Sequence, residues 1–153
     1  MQKVETGRRR RHHDRTRALT GNRRPQHLQK GWFLEPTVLE VTHDMEIMHG
    51  ECFGPIAPVC KVRDLDQAIA LANDSELGLG ANIYTNELSE AMRAVPEIES
   101  GIVWVNTPLN DNDCVPFGGR KLTGSGRELG AEGLAQFRRS KMVMIGKRVA
   151  NTP

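Results

Sequence analysis

Apolar positions in the middle of the chain follow two periodicities, one typical of strands and one typical of helices. Short apolar runs at residues 58–62, 80–84 and 102–105 predict three strands. Between these runs, apolar residues recur at i, i+3, i+4 and i+7, which places them on one face of a helix. The order strand, helix, strand, helix, strand therefore predicts two consecutive βαβ units and an α/β fold with a parallel sheet. The predicted helix faces are Leu65, Ala68, Ile69 and Ala72, and then Leu88, Ala91, Met92 and Val95.

Polar residues and proline predict where the helices begin and end. Asp64 and Asn86 immediately precede the two helical faces, and both residue types are favoured N-caps. Asp44 is placed to cap a shorter helical turn at residues 45–48. Pro96 removes a backbone donor, so the second helix is expected to end or kink there.

Further elements are predicted on either side of the βαβ units. Residues 37–41, which follow Pro36, are rich in β-branched side chains and predict a strand. Residues 131–137 predict a short helix, and the apolar run at residues 142–145 predicts a final strand. Because an open apolar edge invites pairing with another sheet, we interpret residues 142–145 as an oligomerisation or interdomain strand.

Charge is distributed unevenly along the chain. Residues 1–30 contain ten Lys or Arg and two acids, a net charge of +8, whereas residues 31–153 contain eleven basic and seventeen acidic residues, a net charge of −6. The basic segment has few apolar residues to offset the entropy lost on ordering. We therefore predict a disordered arm over residues 1–19 and a frayed tail over residues 148–153. We favour an unselected leader as the origin of the arm; a targeting peptide and, ranked last, a nucleic-acid arm are the alternatives.

The overall composition predicts one soluble domain of 153 residues, with no apolar run long enough to span a membrane. Its three cysteines, Cys52, Cys60 and Cys114, have neither metal-type spacing nor an even count. They predict free thiols in a reducing compartment, the cytoplasm, and no metal site.

One loop combines a carboxylate and an aromatic ring ahead of a turn. Glu51 and Phe53 are two residues apart, so in an extended segment their side chains point to the same side. Gly54 and Pro55 then turn the chain. A carboxylate accepts hydrogen bonds from a sugar diol and a ring packs on a flat heterocycle, so the pair suits a nucleotide ligand. The alternative is a surface Glu, a core Phe and an ordinary loop.

The segment after the third strand is long and polar. Residues 106–115 have no periodic apolar pattern and begin at the carboxyl end of a strand, where ligands of parallel sheets usually bind. They form either an exposed loop or the wall of a site. The glycines at residues 124–130 follow a polar loop instead of a strand, so we do not interpret them as a dinucleotide fingerprint.

Residues 20–145 carry several motifs in an order that resembles the aldehyde dehydrogenase superfamily, over roughly the C-terminal quarter of those enzymes. The fold class this implies is part of the family's catalytic domain, with a C-terminal oligomerisation strand. The motifs are Gly31-Trp32-Phe33-Leu34-Glu35-Pro36-Thr37, Glu51-Cys52-Phe53-Gly54-Pro55, Leu77-Gly78-Leu79-Gly80-Ala81, Gly101-Ile102-Val103-Trp104-Val105-Asn106, Pro116-Phe117-Gly118-Gly119 and Ser125-Gly126-Arg127-Glu128-Leu129-Gly130.

The resemblance implies an NAD(P)-dependent oxidation of aldehydes to acids. By the match, Glu51 would bind the hydroxyls of the nicotinamide ribose and Phe53 would pack near the nicotinamide ring. Phe117 would line the substrate tunnel, and the loop that ends at Cys114 would help to set substrate preference. The cofactor is NAD or NADP at an incomplete site, and a homo-oligomer is expected.

The family's nucleophilic Cys, general-base Glu and oxyanion Asn all lie N-terminal to the matched region, and residues 1–19 are predicted to match nothing in the family. No catalytic residue is therefore assigned, and we expect no dehydrogenase activity from this chain alone. The alternative is a non-catalytic fragment that docks on full-length dehydrogenase subunits.

Overall fold

The computed structural model describes residues 16–28, 30–107 and 110–146. In these ranges it contains seven strands and four helices, which confirms the predicted α/β class. No helix in the described ranges has the length and apolar character needed to cross a bilayer. The elements are β1 (Arg17–Thr20), β2 (Thr37–Val41), α1 (Glu46–His49), β3 (Ile56–Cys60), α2 (Leu65–Asn73), β4 (Leu77–Gly78), β5 (Gly80–Ile83), α3 (Leu88–Glu97), β6 (Ile102–Val105), β7 (Arg120–Lys121) and α4 (Gly130–Gln136).

The strands form three small hydrogen-bonded groups. β2 pairs in parallel with β3, with Thr37 opposite Ile56, and β1 joins β2 on its other side in antiparallel fashion. β5 pairs in parallel with β6, with Gly80 opposite Ile102. The two-residue strands β4 and β7 form an antiparallel pair. The described residues therefore contain two separate parallel pairs.

This topology confirms one predicted βαβ unit and corrects the other. β5, α3 and β6 form a parallel unit, as the sequence predicts. β3 and β5 do not pair within the described chain, so the prediction of three strands side by side in one sheet is wrong. The parallel partner of β3 is instead β2, which precedes it. Periodicity identifies the elements but does not identify which strands are neighbours.

The basic arm is shorter than predicted at its C-terminal end. β1 begins at Arg17, so residues 17–19 form a strand although they were predicted to be disordered. All four side chains of β1 are exposed, and the strand is held by its backbone ladder to β2, with Arg17 opposite Glu40. A ladder of this kind leaves no apolar pattern in the sequence. Residues 1–15 of the arm and the tail at residues 148–153 lie outside the described residues.

The helix caps were predicted correctly at one position of three. Asp64 is the N-cap of α2, where its Oδ1 accepts a hydrogen bond from the Gln67 backbone N–H at 2.8 Å. α1 follows Met45 instead of Asp44. α3 follows Glu87 instead of Asn86, and the Thr85 hydroxyl accepts from the Glu87 N–H at 3.0 Å. The predicted end at Pro96 is confirmed to within a residue, since α3 ends at Glu97.

The core is small and centres on the two longer helices and β6. The Asn73 side chain joins the carboxyl ends of α2 and α3: its amide N–H donates to the Glu97 backbone carbonyl at 2.8 Å, and its amide oxygen accepts from the Glu99 backbone N–H at 2.8 Å. Of the predicted apolar face of α3, only Ala91 is buried, while Leu88 and Met92 are 74% and 67% exposed. The buried apolar residues are Val41, Ile69, Ala91, Ala94 and Trp104.

The predicted final strand does not form in this structure. Residues 142–145 have no strand conformation, and their four side chains are exposed. Strand propensity reflects packing against neighbouring strands, and the described chain offers residues 142–145 none. The preceding helix is confirmed, with α4 one residue earlier than predicted.

Candidate cofactor and substrate site

The Glu51 loop is an ordered turn that connects α1 to β3. The Thr37 N–H donates to the Pro55 carbonyl at 2.8 Å, which fastens the loop to the start of β2. The Gly54 N–H donates to the Cys52 carbonyl at 3.0 Å and closes the turn itself. Glu51 is exposed and Phe53 is 84% exposed, so the structure leaves both side chains free to contact a ligand or another part of a protein. The alternative of a core Phe is therefore wrong for this structure.

Asn106 joins the carboxyl ends of β5 and β6. Its side chain accepts from the Thr85 N–H at 3.0 Å and donates to the Thr85 carbonyl at 2.8 Å. Its backbone has φ of +53°, a left-handed conformation that Asn tolerates better than most residues. The polar loop thus begins at the edge where a ligand of a parallel pair is expected.

That loop and β6 line an open cavity of about 210 Å³. The Trp104 indole N–H donates to the Asn110 carbonyl at 2.9 Å and holds the loop over the strand. Phe117 is half-buried and contributes to the cavity wall, and its predicted contact with a substrate stays a prediction. The lining is Ile102, Val103, Trp104, Asn110, Asp111, Asn112, Val115, Pro116, Phe117 and Leu129.

Cys114 lies in the same loop but outside this lining. It is exposed, and its backbone N–H donates to the Asn112 side-chain oxygen at 2.8 Å. The structure therefore brings Phe117, Asp111 and Asn112 together around the cavity and leaves Cys114 on the outer surface of the loop.

The segment from Phe117 to Glu128 is held by a residue that the sequence analysis did not single out. Phe117 and Glu128 exchange two backbone hydrogen bonds, at 2.8 and 2.7 Å. Between them, the Arg127 guanidinium donates to the carbonyls of Gly119, Ser125 and Gly126 at 2.8 to 3.1 Å. The Arg127 guanidinium thus holds together the glycine-rich turn that follows Phe117. The repeated glycines were the available signal, because such a turn leaves carbonyls that need a donor.

Lys121 plays a similar part at the junction of β4 and β7. Its ammonium donates to the carbonyls of Asn73 and Ser75 at 2.6 and 3.0 Å and pairs with the Glu99 carboxylate at 2.8 Å. The hydrogen bond and charge of Lys121 hold the pKa of Glu99 below its ordinary value. These contacts fix the end of α2 against the strand pair that leads back to the cavity.

The Glu51 loop has the chemistry of one wall of a nucleotide site. An exposed carboxylate can accept hydrogen bonds from ribose hydroxyls, and an exposed ring can pack on a nicotinamide. Among the described residues Glu51 forms no ion pair, whereas the half-buried Glu35 and Glu40 pair with Arg23 and Lys61. The residues present therefore fit a dinucleotide on that side.

The parallel strand pairs and the crossover helix between β5 and β6 define an α/β architecture, the class in which ligands usually bind at the carboxyl ends of strands. The model of the aldehyde dehydrogenase family matches residues 1–143. The chain belongs to the aldehyde dehydrogenase family. The match includes residues 1–19, so the prediction that the arm matches nothing in the family is wrong.

Individual relatives agree with this assignment. The chain is 44% identical over 126 residues to the succinate-semialdehyde dehydrogenase (NADP(+)) of Deinococcus radiodurans, over 82% of this chain and 26% of that protein. It superposes on lactaldehyde dehydrogenase from Escherichia coli with a TM-score of 0.83 and 32% identity, over 93% and 30% of the two chains. It also superposes on betaine aldehyde dehydrogenase from Staphylococcus aureus in complex with NAD+, with a TM-score of 0.80 and 33% identity, over 89% and 28%.

The chain spans about a quarter of the length of the curated relatives it matches. This agrees with the predicted resemblance to part of the catalytic domain. Nothing in the comparisons supports the alternative of a non-catalytic fragment that docks on full-length subunits.

Proposed function

We propose that these residues form the cofactor-side and substrate-side walls of an NAD(P)-dependent aldehyde dehydrogenase that oxidises aldehydes to carboxylic acids. The observation that carries the proposal is the family match over residues 1–143, within which Glu51 and Phe53 stand exposed on an ordered loop. When bound, NAD(P)+ supplies a hydride acceptor. The contributions of this chain are binding and orientation.

Each wall residue has a distinct role in this proposal. Glu51 accepts hydrogen bonds from the nicotinamide ribose, and Phe53 packs against the nicotinamide ring. Phe117 contacts the aldehyde, and the loop that includes Asp111 and Cys114 sets substrate preference. The carboxylate of Asp111 at the cavity favours aldehydes with polar or cationic groups over purely apolar ones.

The 153 residues alone are expected to turn over no aldehyde, because the family's nucleophile and general base are not among the matched motifs. We also expect the complete enzyme to be a homo-oligomer, with residues 142–145 pairing at an interface. The three free thiols support a cytoplasmic location.

The test is a chimera in which this chain replaces the matching segment of the Deinococcus radiodurans relative. We expect NAD(P)-linked aldehyde oxidation from the chimera and none above buffer from the chain alone. Glu51→Gln should raise the KM for the dinucleotide about 10- to 100-fold, since a hydrogen bond to a charged group contributes about 1.5–3 kcal/mol. Glu46→Gln, an exposed acid on α1, is the matched control and should leave this KM unchanged.

Phe117→Ala distinguishes the proposed substrate contact from the proposed cofactor contacts. It should raise the KM for the aldehyde and leave that for the dinucleotide within twofold of the parent chimera. An inactive but folded chimera, turnover by the isolated chain, or an unchanged dinucleotide KM in Glu51→Gln would contradict the assignment.

A further inference from the structure

Two histidines and an aspartate from three separate elements converge beside the Glu51 loop. His43 follows β2, His49 is the last residue of α1, and Asp74 caps the C-terminus of α2. One donor atom from each residue lies within 4.8 Å of the donor atoms of the other two. The three residues are not among the proposed cofactor and substrate contacts.

His43 is at the centre of this cluster. Its Nε2 lies 2.6 Å from Asp74 Oδ2, and its ring is 4.9 Å from the His49 ring at an interplanar angle of 68°. Asp74 contributes a carboxylate oxygen that faces the His43 ring. The donor set is therefore two imidazoles and one carboxylate.

The second ring nitrogen of His43, Nδ1, is a buried polar atom without a hydrogen bond among the described residues. Nε2 is the nitrogen that faces Asp74, so the orphan Nδ1 points to a missing water of the kind that partners the second ring nitrogen of a metal-bound imidazole. His43 also lines a cavity of about 380 Å³ between β2, β3 and α2, which provides the space for such a water.

We propose that His43, His49 and Asp74 bind a divalent cation of the zinc class. Two imidazole nitrogens and a carboxylate oxygen are a common zinc donor set, and a water molecule completes four-coordination. Metal–ligand bonds of about 2.0–2.2 Å in a tetrahedron bring donor atoms to about 3.4 Å apart. The donor atoms here lie up to 4.8 Å apart, and His43 Nε2 and Asp74 Oδ2 are only 2.6 Å apart, so binding requires the exposed His49 and Asp74 side chains to adjust and the His43–Asp74 hydrogen bond to open.

The ion would tie the loop after β2 and the end of α1 to the C-terminus of α2. In its absence, a hydrogen bond between His43 and Asp74 provides that connection. His49 is two residues before Glu51, so the tie would also fix the start of the cofactor loop.

The experiment is a zinc titration of the full chain, purified without a histidine tag and stripped with a chelator. The reference protein carries His12→Gln and His13→Gln, which removes the two other histidines that are adjacent in sequence. We expect one saturable site, at least tenfold weaker in each of the variants His43→Gln, His49→Gln and Asp74→Asn. His27→Gln changes an exposed histidine outside the cluster and should leave zinc affinity unchanged.

Two further readouts separate this site from other metal ligands and from misfolding. Co²⁺ should give visible bands without the near-ultraviolet charge-transfer absorption of a thiolate, which would indicate cysteine ligation. Zn²⁺ should raise the Tm of the reference protein and not that of His49→Gln, whose metal-free Tm should match the reference because residue 49 is exposed. Equal zinc affinity in His49→Gln, Asp74→Asn and the reference, or no saturable binding, would overturn the proposal.

Discussion

The contact between Gly80 and Trp104 provides a quantitative test of the packing of β5 against β6. A Cβ atom added to Gly80 would lie 2.5 Å from Trp104 Cζ3 and 3.1 Å from Cη2, and the three atoms nearest to it all belong to that ring. The ring cannot move aside freely, because it is 9% exposed and its indole N–H is bonded to Asn110. Gly80→Ala should therefore lower the free energy of unfolding by about 1–3 kcal/mol, the usual cost of overpacking.

The effect of Gly80→Ala on the free energy of unfolding should change sign when the Trp104 ring is absent. Gly80 does not have a positive φ, so alanine fits its backbone without strain. In a Trp104→Leu background, Gly80→Ala should raise the free energy of unfolding by about 0.4–1 kcal/mol, because alanine lowers the conformational entropy of the unfolded chain. The coupling free energy between the two positions is then about 1.5–4 kcal/mol, well outside the additivity found for independent sites.

The assay is urea unfolding of the four proteins of this cycle, followed by far-ultraviolet circular dichroism, since Trp104 is itself substituted. A fixed concentration of sucrose raises the stability of all four proteins and keeps the destabilised variants folded at the start. Gly126→Ala is the control, because a Cβ there meets no atom within 4 Å, and it should change stability by less than about 0.5 kcal/mol. An equal cost of Gly80→Ala in both backgrounds would refute the packing argument.

Three further predictions concern the cap and the two cations. Asp64→Ala should lower the free energy of unfolding by about 1 kcal/mol and Asp64→Ser by much less, because serine still accepts from the Gln67 N–H; equal losses in urea titrations would contradict the cap. Since the folded pKa of Glu99 is depressed, its stabilising effect is full above the ordinary value of 4.5 and is lost as pH falls through the lower folded value. Lys121→Met should therefore flatten the acid limb of a Tm-versus-pH curve, and an unchanged limb would count against the pair. Arg127→Met should lower the free energy of unfolding by about 2 kcal/mol and make residues 118–126 susceptible to limited proteolysis. Resistance to the protease equal to that of the wild-type chain would argue against the role of Arg127 in holding this turn.

Local patterns in the sequence predicted the elements well. The helical spacing at Leu65 and Leu88 located α2 and α3, and the cap at Asp64 was correct because its side chain bonds three residues along the same chain. The cap at Asn86 was wrong: α3 begins after Glu87, which makes no side-chain cap hydrogen bond, and the Thr85 hydroxyl accepts from the Glu87 N–H. Helix caps depend on residues only two or three positions apart, and the sequence shows which residues these are.

Contacts between distant residues were not predictable in the same way. The pairing of β3 with β2, and the ladder that orders Arg17, join backbone groups and leave no side-chain periodicity. The bonds from the Lys121 ammonium to the Asn73 and Ser75 carbonyls also join residues far apart in the sequence, and a carbonyl acceptor leaves no mark in the sequence. Glu51 and Phe53 were found because their chemistry and spacing are visible in the sequence, and their roles stay predictions that the chimera tests.

The residues whose burial was predicted and not observed support the proposed place of this chain in a larger catalytic domain. Leu88 and Met92 follow the helical period of α3 but stay in water, and residues 142–145 are apolar but unpaired. Burial of a Leu or Met side chain contributes about 1.5–3 kcal/mol, so covering these two helix residues alone would contribute about 3–6 kcal/mol. That is comparable to the whole stability of many domains. The pattern is the one expected of a surface that packs against other parts of a larger domain, so the chimera, which covers this surface, should be more stable than the isolated chain.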